Sequence, residues 1–125
     1  MKNILFLFIF FCWGANFNNF VCQTENIAIA GTSQELAASK LSGSYQFTLS
    51  EKTKEEDVTK AASYYPGFFS VSYNSSSHVA SIEMVENNEN SRRVLLRFLS
   101  SIRCQKIQVD GQSLFIHEFY DAYLK

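Results

Sequence analysis

Tyr64 to Asn74 reads YYPGFFSVSYN. Pro66 lacks a backbone donor and biases Tyr65 away from helical geometry, and Gly67 permits a sharp exit, so a helix arriving here must stop. Phe69, Val71 and Tyr73 then alternate with Ser70 and Ser72, the period-two pattern of a strand with one face buried. This helix-to-strand junction orders the elements on both sides of it.

Upstream, Val58, Ala61, Ala62 and Tyr65 stand at i, i+3, i+4 and i+7, which predicts an amphipathic helix ending at the junction. Thr53 with Glu56 has the spacing of a capping box, and Glu55 and Asp57 add negative charge to the first turn. Before that helix YQFTLS, 45–50, alternates as a strand with Tyr45, Phe47 and Leu49 on one face. Downstream, Asn74 to His78 is a polar loop of hairpin length, and its Asn74-Ser75-Ser76 triplet would matter only in a eukaryotic secretory pathway. VASIEMV, 79–85, is a third strand with Ala80, Ile82 and Met84 inward.

Asn87 to Asn90 then breaks the strand and offers a cap. In the second helix Val94, Leu95, Phe98, Leu99 and Ile102 share a face, with Arg92, Arg93 and Arg97 largely off it. CQKIQV, from Cys104, is a fourth strand closed by Asp110-Gly111. The tail LFIHEFYDAYL reads as a short closing helix capped by Ser113, with Phe115, Phe119 and Tyr123 packing at i+4 spacing; a fifth strand is the open alternative. The order strand, helix, strand, strand, helix, strand predicts an α+β, ferredoxin-like βαββαβ sandwich with a C-terminal closing helix and both helices on one sheet face.

Ahead of this domain, residues 44–125, come two segments of other character. Residues 1–22 have the layout of a secretory signal peptide: one basic residue, then the apolar run Ile4 to Trp13, too short for the ~20 apolar residues of a membrane span. Cleavage after Cys22, lipidation of Cys22 and an uncleaved anchor are the readings it leaves open. Residues 23–43 read as a linker with room for a short strand or turn at Ile27 to Ala30. Export with only Cys104 of the three cysteines remaining excludes an internal disulfide and points to the periplasm or cell envelope, or to secretion. A net charge of −1 gives no global pull toward nucleic acid or an anionic membrane.

A helix ending in Pro66-Gly67, then Phe69 to Tyr73, a polar loop and Val79 to Met84 resembles the heavy-metal-associated domain of copper chaperones and metal-ATPase N-terminal modules. The resemblance covers Tyr45 to about Val109. It implies a metal held by two cysteines in the loop between first strand and first helix, where soft thiolates select Cu(I) or Zn. The matching loop here, Ser50 to Asp57, reads SEKTKEED and holds no Cys, His or Met. The expectation is a degenerate member without the CxxC motif and without a cofactor.

Other chemistry is sparse. Cys104 is expected on the sheet face opposite Ile107 and Val109, beside Arg103 and Lys106, where cations would lower its pKa. His117 and Asp121 stand at i, i+4, a spacing two metal ligands can share, and with Cys104 and His78 they form the alternative reading of an atypical metal-binding or metallochaperone-like protein. A Cys104–His117–Asp hydrolase lacks a Gly-rich oxyanion turn, which argues against an enzyme. The expected open sheet face, Gln46, Thr48, Ser70, Ser72, Ser81, Glu83, Lys106 and Gln108, has no aromatic platform for nucleic acid. Arg92, Arg93, Arg97 and Lys106 are the candidate docking patch for an acidic partner. The reading that follows is an exported, non-enzymatic interaction module whose partner is another envelope protein.

Overall fold

The computed structural model describes residues 26–125, so the leader read at 1–22 lies outside the described residues. In chain order the elements are β1 (Ile27–Gly31), α1 (Ser33–Ser42), β2 (Ser44–Thr48), α2 (Glu55–Ala62), β3 (Phe69–Asn74), β4 (Val79–Met84), α3 (Glu89–Ser101), β5 (Lys106–Val109), β6 (Gln112–Phe115), α4 (Ile116–Phe119) and a π-helical turn at Tyr120–Leu124. They form a six-stranded sheet in the order β3-β4-β2-β1-β5-β6. The architecture is α+β and compatible with a ferredoxin-like fold closed by a C-terminal helix: β2-α2-β3 and β4-α3-β5 are its two crossover units.

The junction behaves as its residues dictate. After α2 the Tyr65 carbonyl accepts from the N–H groups of Phe68 and Phe69 at 3.0 and 3.3 Å, which closes the Pro-Gly turn and launches β3. Phe69 then enters the core against Phe98 of α3, ring centroids 5.8 Å apart and edge-on. Tyr45, Phe47, Ile82, Ile107 and Val109 line the same covered face beneath Val58, Leu95, Phe98, Leu99, Phe119 and Leu124. Burying each large apolar side chain contributes about 1.5–3 kcal/mol, which is what holds these layers together.

Two local expectations upstream of the tail are corrected. The helix α2 begins after Lys54 with no side-chain cap, so Thr53 and Glu56 form no capping box. The segment 27–42, read as linker with a short strand, holds the full strand β1 and the helix α1. The strand lies between β2 and β5, antiparallel to the first and parallel to the second. Its alternation misleads because the small residue is the buried one: Ala28 is fully buried while Ile29 is 43 % exposed. The helix α1 buries only Leu36, too little for a periodic stripe, and is held at its ends. Thr32 and Glu35 form the capping box there, and Gly43 closes the helix at φ 81, a left-handed geometry that disfavours any other residue.

The tail holds both of its alternatives in succession. Asp110 and Gly111 have φ values of 52 and 80, the pair that a two-residue type I′ hairpin requires, so the chain reverses into β6. Ser113 is therefore a strand residue. The helix starts after Phe115, whose N–H donates to the Glu118 carboxylate at 2.8 Å. Phe115 pairs with Lys106 across the ladder and stays on the open face, 52 % exposed, rather than packing with Phe119.

Candidate functional site

The loop that the metal-domain resemblance singles out borders a cleft of about 600 Å³. Its walls are the β2–α2 loop and the inner side of α2 on one hand and the end of α3 on the other. Lys52, Thr53, Asp57, Lys60, Tyr64 and Arg103 supply most of the chemistry. The loop is anchored at its start, where Leu49 N–H donates to the His78 carbonyl at 2.7 Å, and is closed on itself by Thr53 N–H donating to the Ser50 carbonyl at 2.9 Å. The hydroxyl of Thr53 is buried with no hydrogen-bond partner among the described residues. A buried hydroxyl without a partner is unusual and costs of order 1–3 kcal/mol.

Arg103 is placed by the way α3 ends. Ile102 is the C-cap; Arg103 N–H donates to Ser100 O at 2.9 Å and Cys104 N–H to Leu99 O at 3.0 Å. That is a Schellman closure, which puts the Arg103 backbone in the left-handed region at φ 64. Glycine is the residue this position favours, yet an arginine stands here and lines the cleft. Asn26 steadies the same corner, its side-chain amide donating to the Ile102 carbonyl at 3.2 Å.

The residues singled out in the sequence lie elsewhere and apart. Cys104 does not face solvent beside Arg103 and Lys106. It precedes the first residue of β5, so strand alternation does not govern it, and it is folded under the sheet at 4 % exposure. Burial pushes its thiol up to about 11, the opposite of activation, and Sγ donates to the Lys106 carbonyl at 3.3 Å. His78 sits in a left-handed turn at φ 62 with Nδ1 3.3 Å from the Tyr73 hydroxyl, closing the β3–β4 hairpin. His117 is exposed and stacked on Phe115, and Asp121 is exposed beyond it. The α-helix ends at Phe119, and Asp121 belongs to the π-helical turn that follows it. Among the described residues no three His, Cys, Asp or Glu side chains come together as a metal site.

The cationic patch is likewise divided. Arg92 is buried, with Nε donating to the Leu124 carbonyl at 2.7 Å and a terminal nitrogen to Asn87 Oδ1 at 2.9 Å. It fastens the C-terminal turn to α3 and is not available to a partner. Arg93 lies over the Tyr120 ring, 5.5 Å from its centroid, and 3.6 Å from Glu89. Arg97 is exposed, and Lys106 lies 5.0 Å from the Phe115 ring centroid on the open face. Phe115 thus adds an aromatic that the expected open face lacked. No described helix is long and apolar enough to cross a membrane. Comparisons with protein-family models, with curated proteins and with solved structures return no match for this chain.

Proposed function

We propose that this chain is a small exported, non-enzymatic binding module that docks an acidic segment of a cell-envelope partner in the cleft between the β2–α2 loop and the end of α3. The observation that carries the reading is Arg103, an arginine held in a left-handed cap where glycine costs less, with its residue lining a cleft that also contains Lys52 and Lys60. Asp57 is the one acidic residue of that lining. The cleft borders the β2–α2 loop, where the resemblance to heavy-metal-associated domains would put a metal, and its lining offers cations rather than thiolates. Export rests on the apolar leader Ile4 to Trp13 followed by polar residues.

The reading predicts a separation of stability from binding. Arg103→Gly relieves the left-handed backbone and is expected to raise stability by about 0.5–1 kcal/mol in urea unfolding. The same variant weakens binding of a glutamate-rich hexapeptide, followed by amide shifts in a proton–nitrogen correlation spectrum. Wild-type shifts gather at Lys52, Thr53, Lys60 and Arg103 and fade above the salt at which exposed charges are screened. Shifts gathered instead on Arg93 and Arg97, or peptide binding unchanged in Arg103→Gly, would rule the cleft out as the docking site.

A further inference from the structure

The strand β3 is an edge of the sheet, and its free side can be identified. Val85 N–H donates to Phe68 O at 2.9 Å, and Met84 N–H donates to Gly43 O at 2.9 Å. Backbone groups alternate sides along a strand, so Ser70, Ser72 and Asn74 form the ladder with β4, and the N–H and C=O groups of Val71 and Tyr73 point outward. Phe69 N–H is already taken by the Tyr65 carbonyl.

Edges of natural sheets carry protection: lysines, proline, bulges or extreme shortness. The stretch FSVSYN has no charge and no proline, and it pairs with β4 in continuous register over its whole length from Phe69–Met84 to Asn74–Val79. The opposite edge, β6, is shorter and turns at once into α4. Among the described residues, β3 is the edge that offers an open template.

We propose that the occupant of this edge is a second copy of the chain, with β3 pairing antiparallel to β3 of its partner about a twofold axis through Ser72. In that register Val71 and Tyr73 of one copy exchange backbone hydrogen bonds with Tyr73 and Val71 of the other. On the covered face this sets a β-branched side chain opposite an aromatic one twice, a favourable cross-strand pair. On the open face Ser72 meets Ser72, and Ser70 meets Asn74, with no like charges opposed. The helix α2 packs on β3 and has acidic residues in its first turn and Lys60 in its last. The twofold axis runs the two α2 helices antiparallel, so the Glu55–Glu56 end of one comes alongside the Lys60 end of the other. That complementarity favours a second copy over an unrelated strand.

The test uses the full chain in mild detergent, with Cys12→Ser, Cys22→Ser and Cys104→Ala as the background for cross-linking. Ser72→Cys occupies a non-hydrogen-bonded pair on the axis, where Cα atoms about 4.5 Å apart permit a disulfide. It is expected to form covalent dimer at least roughly ten-fold faster than Ser70→Cys, whose counterpart is Asn74. In sedimentation velocity the wild-type chain runs as a concentration-dependent dimer. Ser72→Lys, at an exposed position, places like charges on the axis and raises the dissociation constant roughly ten-fold or more. Val71→Pro removes an outward N–H while sparing the β4 ladder, and gives a folded monomer by circular dichroism and sedimentation. A wild-type chain that is monomeric at about 100 μM, a dimer that Ser72→Lys and Val71→Pro leave intact, or equal cross-linking of Ser72→Cys and Ser70→Cys would each overturn the proposal.

Discussion

Arg92 shows how a single residue changes its meaning on folding. It precedes Leu95 by one helical turn and Leu99 by two, so it lies on the core stripe of α3, and its guanidinium binds the Leu124 carbonyl and Asn87 from a buried position. Removing it leaves the carbonyl of buried Leu124 and the side chain of Asn87 without their donor. Arg92→Ala is expected to cost about 2–4 kcal/mol in urea unfolding and to free the C-terminal turn to proteolysis. Arg92→Lys should recover only part of that, because an ammonium cannot serve two acceptors with the fork of a guanidinium. Cys104 and Tyr45 set the behaviour in alkali. Burial raises the Cys104 thiol from 9.0 to about 11 and the Tyr45 hydroxyl from 10.0 to about 12. Above pH 9 the unfolded chain loses these protons first, so stability falls as pH rises through the window from about 9 to 12, each pKa unit being worth about 1.4 kcal/mol. The urea midpoint measured from pH 8 to 11 should decline, and Cys104→Ala should flatten the earlier part of the decline. Native Cys104 should also react with a thiol reagent at pH 8 far more slowly than the unfolded chain.

At the scale of elements, α1 and α2 reverse what their sequences advertise. The amphipathic helix α2 has no side-chain cap, whereas α1, with one buried residue, has both ends closed. An element so poor in packing depends on its caps. Thr32→Ala removes the hydroxyl that accepts from Glu35 N–H and is expected to cost about 1 kcal/mol. Gly43→Ala imposes the left-handed φ of 81 on a residue that resists it and drives a methyl to 3.3 Å from Asn87 Cβ, so its cost in urea unfolding should exceed that of Thr32→Ala. Equal or opposite ranking of the two variants would mean that packing, not capping, holds this helix. Both signals, Thr32-x-x-Glu35 and Gly43, stand in the sequence, but without an apolar stripe between them they do not announce a helix.

For the whole molecule the decisive feature is β1. It separates β2 from β5 and bonds to both, so the sheet has no ferredoxin-like half that closes without it. A chain beginning at Ser44, the boundary suggested by the sequence pattern, would expose two interior strand edges and the apolar face under Ala28. It is expected to lose the cooperative urea transition seen for the longer chain; a sharp transition in the 44–125 fragment would show that β1 is dispensable.

What the sequence by itself determined are the elements with strong periodicity or hard stops. Pro66-Gly67, the Phe69–Tyr73 alternation and the Val94–Ile102 stripe act locally, through missing donors and side-chain spacing, and they place α2, β3, β4 and α3 without reference to the rest of the chain. Tertiary structure decided the remainder. The position of β1 depends on pairing between residues some eighty apart, Ala28 with Ile107, and a buried alanine carries no hydropathy signal to foretell it. The cleft was invisible for the same reason: Thr53, Lys60 and Arg103 belong to separate elements, and only the left-handed end of α3 turns Arg103 toward the loop where the resemblance had placed a metal.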